Sequence, residues 1–391
     1  MSTVKTGLDR MVEQGFAPLR GRRLGLVMHP ASRDRHLRRG WRLCHQSPLT
    51  DVRALFGPQH GFLGQTQDNM IEWQGFTDRA TGLPVHSLYG EVRKPTPEML
   101  ADVDTLVIDL QDVGARYYTF IWTLYLCMEA CAELGKSVVV LDRPNPIGGV
   151  ELEGPVLDPA YSSFVGLAPV PVRHGLTSGE LALFFRHWRG WKLDLEVVWM
   201  DGWRRAMDFE ATGLPWVLPS PNMPTVDTAF VYPGGCLLEA TNLSEGRGTT
   251  RPFEIFGAPW VDADTLVGLL RDWKLPGLKW RPLDFEPTFH KHANQVCGGV
   301  QVHVTDRKAF RPLLTYTAAI AAIRELWPER FAWKEPPYEY ETVKLPIDIL
   351  AGGPEWRTMI EEGRRPWSMA EVWRDACDAF DADCGEFRHY D

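Results

Sequence analysis

The sequence predicts an α/β protein: a Rossmann-like, doubly wound and mainly parallel sheet, followed by a second, smaller α+β domain. Three observations carry that expectation. Short, almost uniformly apolar runs recur through the first half, helical periodicities lie between them, and the texture changes after a proline-rich crossing, Pro219-Ser-Pro-Asn-Met-Pro224. Strands of a parallel sheet are covered on both faces, so they read as continuous apolar runs rather than alternating ones. Strand and helix in alternation then imply crossover connections and a doubly wound layer.

The strands expected in chain order are Arg23-Leu-Gly-Leu-Val-Met28, Asp51-Val-Arg-Ala-Leu-Phe56, Thr105-Leu-Val-Ile-Asp109 and Ser137-Val-Val-Val-Leu141. Between the last two, residues 118–134 carry apolar side chains at helical spacing. Thr96-Pro97, a capping residue before an N1 proline, is expected to open another helix. Beyond the crossing come a Gly-rich stretch to Gly257, a helix from the N-cap Asp262 to Trp273, and an alternating run, Gly299-Val-Gln-Val-His-Val304. The expected division is residues 1–225 for the Rossmann-like domain and 226–391 for the α+β domain.

Composition narrows the function. With 391 residues the chain suits two domains, and 44% hydrophobic with 24% charged residues is ordinary globular usage. The 16 Trp exceed what a core needs and suit a site that stacks on sugar rings. A net charge of −9 offers no basic field for a phosphate backbone, so nucleic acid is not an expected partner; the arginines of residues 33–39 read as a solvated helix face. Seven scattered Cys without a CxxC pair fit a reducing compartment, with Cys127 and Cys131 as small core residues. The N-terminus lacks an apolar signal region, and no run of about 20 apolar residues is present, so a cytoplasmic protein with no membrane partner is expected.

Polar residues cluster where the expected strands end: Asp109-Leu-Gln-Asp112 after one, Asp142-Arg-Pro-Asn145 after the next. Ligands bind outside the carboxyl ends of parallel strands, although Asp and Asn also cap turns there. No GxGxxG or GxxxxGK[ST] motif accompanies the sheet, so nucleotide chemistry lacks its usual anchor. No HExxH motif or His/Cys cluster appears, and no metal or other cofactor is expected.

Eight stretches, in order, point to one family. They are Phe56-Gly-Pro-Gln-His-Gly-Phe62, Leu83-Pro-Val-His-Ser-Leu-Tyr-Gly90, Asp109-Leu-Gln-Asp-Val-Gly-Ala-Arg-Tyr117 and Leu141-Asp-Arg-Pro-Asn-Pro146. Then follow Glu153-Gly-Pro155, Val172-Arg-His-Gly-Leu-Thr-Ser-Gly-Glu180, Ser220-Pro-Asn-Met-Pro224 and Glu239-Ala-Thr-Asn-Leu-Ser-Glu-Gly-Arg-Gly-Thr249. This succession resembles the exo-β-N-acetylmuramidases, long catalogued only as a domain of unknown function. The resemblance implies a Rossmann-like N-terminal domain, a smaller C-terminal domain, a cleft between them, and release of N-acetylmuramic acid from the ends of peptidoglycan fragments. It also implies a catalytic glutamate in a Pro-Glu-His-Gly motif, where this chain has Pro58-Gln59-His60-Gly61. The second family glutamate matches Glu180.

Glycoside hydrolysis needs a proton donor at the leaving oxygen and a carboxylate that activates water or attacks carbon. An amide at Gln59 can do neither. Glu180 is therefore the expected central carboxylate, although Thr177-Ser-Gly-Glu180 also reads as a capping box. His60 is a second source of the proton, and Asp68, Asn69 and Glu72 lie on a loop that could supply a substitute acid. For the lactyl carboxylate of muramic acid, Arg offers a bidentate grip; Arg116, Arg143, Arg247 and Arg251 are the candidates, each equally able to serve as a structural ion-pair partner. Tyr117, His174, Glu239, Asn242 and Glu245 complete the expected substrate contacts. Gln59, His60, Asp109, Gln111, Arg116, Asn145, His174, Glu180, Asn222 and Asn242 are expected to converge on one cleft.

Overall fold

A computed structural model describes residues 3–68 and 70–391, so Asn69 lies outside the described residues. In chain order the strands are β1 (Arg23–Met28), β2 (Asp51–Gly57), β3 (Phe76–Thr77), β4 (Pro84–Ser87), β5 (Thr105–Asp109), β6 (Ser137–Leu141), β7 (Glu153–Val156), β8 (Pro171–Arg173), β9 (Leu195–Val198), β10 (Ile255–Ala258), β11 (Leu278–Phe285) and β12 (Cys297–Val304). Seven of them form one sheet in the order β3-β4-β2-β1-β5-β6-β9. Every pairing in it is parallel except that of the edge strand β3 with β4.

Successive side chains of each central strand feed different cores, as the two-residue period of a strand requires. Val27, Leu106, Ile108 and Val140 join one apolar cluster, together with Trp122 and Tyr125 of the helix Phe120–Leu134 and Phe185 of the helix Ser178–Arg189. Leu26, Met28, Val107 and Val139 join the other, with Leu8 and Met11 of the helix Gly7–Glu13 and Trp41 of the helix Gly40–Gln46. Helices therefore cover both faces, and the apolar runs of β1, β5 and β6 are explained by that double covering.

The second region is built on a three-stranded antiparallel sheet, β10-β12-β11. Close approach of β10 to β12 requires glycine: a Cβ on Gly257 would lie 2.1 Å from the Gly298 carbonyl oxygen. The helix Ala263–Asp272 starts at the expected cap, where the Asp262 side chain accepts from the Thr265 amide. The first apolar cluster runs without a break across residue 225, taking in Leu237, Phe256, Ile320 and Trp356 alongside Phe56 and Trp122. The chain end returns to the first region, where Tyr390 Oη donates to Asp142 at 2.6 Å and the His389 ring stacks on Trp199 at 4.1 Å.

Two local expectations fail. Thr96-Pro97 opens only a run of turns, with hydrogen bonds such as Leu100 N to Thr96 O too few to propagate a helix. Residues 33–39 form a turn closed by an Arg33–Arg39 bridge instead of a helix face. Between β11 and β12, His290 and His292 both have positive φ.

Candidate active site

β2 ends against a tight reversal. His60 (φ 66°) and Gly61 (φ 88°) are both left-handed, and a glycine takes the second place without strain. The reversal presents Gln59 and His60 at the carboxyl end of the sheet, beside the switch between β1 and β5 from which strand order runs in both directions. There they line a cleft with about 420 Å³ of space outside the protein atoms. Tyr117, Tyr118 and Thr119 border it from the loop after β5, Ser220, Asn222 and Met223 from the proline-rich crossing. The second region adds Tyr232, Glu239, Arg247 and Phe253, and the segment after residue 336 adds Tyr338 and Glu339.

One wall is aromatic: Tyr117 and Tyr118 each meet Tyr232 edge-on at 5.8 Å, and Tyr232 meets Phe253 at 4.9 Å. Such faces suit the apolar side of a sugar ring. The opposite wall is a polar chain. Thr119 Oγ1 donates to Gln59 Oε1 at 2.6 Å, Gln59 Nε2 donates to Glu339 Oε1 at 3.2 Å and to Tyr89 Oη at 3.1 Å, and Tyr89 Oη donates to Glu339 Oε2 at 2.9 Å. Burial, opposed by the Tyr89 hydrogen bond and reinforced by the charge of Glu239, pushes the Glu339 carboxyl up to about 7.

Glu239 is held differently. Arg247 Nη2 donates to its Oε1 at 2.6 Å and Tyr338 Oη to its Oε2 at 2.7 Å. Behind it Glu245, fully buried, sits 3.1 Å from Arg247 Nε, 3.2 Å from His290 Nδ1 and 3.0 Å from Lys291 Nζ. Burial alone would raise the Glu245 carboxyl, but Lys291, His290 and Arg247 together hold it well below the ordinary range. Glu245 thus anchors Arg247 from outside the cleft. Arg247 Nη1 has no hydrogen-bond partner among the described residues, leaving a buried donor at the cleft wall.

His60 Nδ1 lies 2.9 Å from the Thr66 carbonyl oxygen, which can only accept, so the ring carries its proton there and Nε2 is unprotonated. Burial pushes the ring down to about 4. That shift favours the neutral ring at pH 7.

The structure gathers Gln59, His60, Tyr117, Asn222, Glu239 and Arg247 around the cleft and sends the other expected residues elsewhere. Glu180, expected at the centre, is a helix cap. Its Oε2 accepts from the Thr177 amide at 3.0 Å, its Oε1 from the His389 amide at 2.9 Å and from Arg205, and its side chain is 0% exposed. Asp109 is paired with Arg143, Arg143 Nη2 donating to Asp109 Oδ2 at 2.9 Å. Gln111 bonds the Asp112 and Pro144 carbonyls, and His174 lies 3.1 Å from Asp112. Asn145 staples its own loop to the Leu176 carbonyl.

Arg116 is fully buried, donating to the Pro155, Val170 and Leu350 carbonyls, which leaves no fork for a ligand. Arg251 pairs with Glu254 at 3.3 Å, and Asn242 bonds the Arg330 carbonyl. Glu72 is solvent-exposed and, like Asp68, does not line the cleft. Sequence reasoning missed Glu339, Tyr338, Tyr89 and Thr119. Glu339 stands between two tyrosines directly after Pro336-Pro337, a pattern with nothing in its spacing to connect it with Gln59.

Among the described residues, no group of three or more His, Cys, Asp or Glu is arranged to hold a metal ion. No described helix is long and apolar enough to cross a membrane.

Comparison with known proteins agrees with this architecture. Residues 24–227 match the family model for the N-terminal part of exo-beta-N-acetylmuramidase NamZ, and residues 230–390 match that for its C-terminal part. The peptidoglycan beta-N-acetylmuramidase NamZ of Bacillus subtilis is 47% identical over 360 residues, covering 92% of this chain and 85% of the relative. Two crystal structures of DUF1343 family proteins from Bacteroides fragilis have the same fold. One has a TM-score of 0.90 at 36% identity, the other 0.75 at 27%, and each covers 100% of this chain and 99% of its own. The chain belongs to the NamZ exo-β-N-acetylmuramidase family.

Proposed function

We propose that the protein is an exo-acting β-N-acetylmuramidase that releases N-acetylmuramic acid from the non-reducing ends of peptidoglycan fragments. The observation that carries this reading is the cleft itself: two carboxyl groups, Glu239 and Glu339, in unlike environments, with an aromatic wall and the unpartnered Nη1 of Arg247. Glycoside hydrolysis uses two carboxyl groups in different roles. Arg247 Nη1 is suited to the lactyl carboxylate, the group that distinguishes muramic acid from glucosamine. Asn222, whose Nδ2 donates to the Gln67 carbonyl, holds the loop that follows His60 against the crossing segment. In this reading Glu180 and Glu245 are structural carboxylates. Seven buried, unpaired cysteines fit action in a reducing cytoplasm.

One observation favours a second reading: the amide of Gln59 stands where the family resemblance implies a catalytic glutamate, which suits a sugar-binding protein that has lost its chemistry. Chromogenic β-glycosides of N-acetylmuramic acid and N-acetylglucosamine separate the cases. Selective cleavage of the muramic glycoside is the expected result. Binding without cleavage supports the second reading, and preference for the glucosaminide would mean that Arg247 does not select substrate.

A further inference from the structure

The glycosidase reading leaves open which group protonates the departing sugar oxygen, and the assignment of that group rests on the same reading. We infer that Glu339 delivers this proton, with Gln59 and Tyr89 as positioning residues that hold its carboxyl for the task.

The titratable groups lining the cleft are few. His60 has its proton committed to Thr66, Arg247 is engaged by Glu239 and Glu245, and burial raises the phenols of Tyr117, Tyr118, Tyr232 and Tyr338 above their usual range. That leaves Glu239 and Glu339. Glu239 receives a guanidinium and a phenol. Glu339 receives only neutral donors, the Gln59 amide at 3.2 Å and the Tyr89 hydroxyl at 2.9 Å, and is 5% exposed. Burial and the nearby charge of Glu239 favour a protonated Glu339 against the weaker pull of Arg247, whereas Glu239 bonds the guanidinium directly.

The two donors to Glu339 also suit the moment after transfer. Each carboxylate oxygen can accept two hydrogen bonds, so the contacts from Gln59 and Tyr89 leave a lone pair on each, one of which holds the proton that is donated to the glycosidic oxygen. Once the proton has left, the same two contacts stabilise the new charge without rearrangement. The Gln59 amide can donate to the carboxyl in either protonation state. Glu339 (φ 43°) and Tyr340 (φ 69°) are successive left-handed residues, a costly backbone that persists only where the surroundings enforce it.

The Glu339 proton passes to the glycosidic oxygen while the C1–O bond breaks, and the bonding pair leaves with that oxygen as a neutral alcohol. A water oxygen bonds C1 and gives its proton to Glu239. Solvent then returns that proton from Glu239 to Glu339, and one water is consumed.

The test compares two substrates that differ in their need for acid: a muramic acid–β-1,4-glucosamine disaccharide, whose alkoxide leaves only when protonated, and a 4-nitrophenyl β-muramide, whose phenolate leaves unaided. Glu339→Gln should lower kcat on the disaccharide by about 10²–10⁴ and leave that on the aryl glycoside within a few-fold, with KM little changed. An equal loss on both substrates, or no loss on either, overturns the assignment. A second measurement needs no variant: wild-type kcat on the disaccharide should fall above about pH 7, where Glu339 ionises, while that on the aryl glycoside should not. A disaccharide rate that stays flat to pH 9 overturns the proposal. Failure of the wild type to cleave either substrate would instead overturn the glycosidase reading.

Discussion

Gln59 Nε2 donates to Glu339 Oε1 across 3.2 Å, joining the carboxyl end of β2 to a residue 280 positions further along the chain. Burial of Glu339, which outweighs this contact, ties the stability of the fold to the protonation of its cleft. Below the ordinary glutamate range, near 4.5, both folded and unfolded states hold the proton and ionisation costs nothing. Between there and about 7 the unfolded chain releases it while folded Glu339 retains it, so this residue lowers stability as pH rises. Glu339→Gln removes the penalty. Across that window each step of one in pH is worth roughly 1.4 kcal/mol, so the variant should gain on the wild type by up to about 3 kcal/mol between pH 4.5 and 8. Urea melts at the two pH values measure the gain; a difference that does not change with pH would mean that Glu339 holds its proton no more tightly than an exposed glutamate.

Glu180 gives the opposite pattern. Its carboxylate holds Arg205 and two backbone amides, all inside the protein. Glu180→Gln leaves Arg205 without its counter-charge, and breaking a buried pair costs about 3–5 kcal/mol. Thermal unfolding should move down by several degrees while kcat, measured well below the new transition, stays within about two-fold. A large drop in kcat in a variant of normal stability would restore Glu180 to the chemistry.

His60 should remain neutral across the physiological range. Its ring, pushed down to about 4 by burial, differs from an unfolded histidine, so stability is lost as pH falls from about 6.5 through 4. The Cε1 proton resonance of His60 should show no titration above pH 5. A midpoint near 6.5 would mean that the ring is solvated and able to act as an acid.

Arg247→Lys keeps a cation between Glu239 and Glu245 but loses Nη1, the nitrogen without a hydrogen-bond partner among the described residues. KM for muramic substrates should rise by roughly 10- to 100-fold, the equivalent of one charge-assisted hydrogen bond, with little change for a glucosaminide. Parallel weakening of both would show that Arg247 organises the site without reading the lactyl group.

Much of the sheet was legible because the parallel strands of a covered sheet announce themselves locally: Val27, Leu106 and Val140 alternate with Leu26, Val107 and Val139 into two cores, and every position is apolar. The site was legible only where a strand end carried it, as at Gln59 and His60, or where the glycine-rich segment around Arg247 drew notice. Polar residues at other strand ends, such as Asp109, Arg143 and Asn145, turned inward to satisfy one another and the loop backbones. Nothing local distinguishes those two outcomes. Glu339 was invisible for a different reason: its partners Gln59 and Tyr89 lie 280 and 250 residues away, and only the tertiary fold brings them together.

The bond to be cleaved should lie between Glu239 and Glu339. A crystal structure of the Glu339→Gln variant with an intact muramic acid–glucosamine disaccharide tests this most directly. The glycosidic oxygen should sit about 2.6–3.2 Å from the side chain at position 339, with the lactyl carboxylate on Arg247 and Glu239 near C1. A disaccharide bound with that oxygen beyond hydrogen-bond reach of residue 339, or bound away from the cleft altogether, would contradict it.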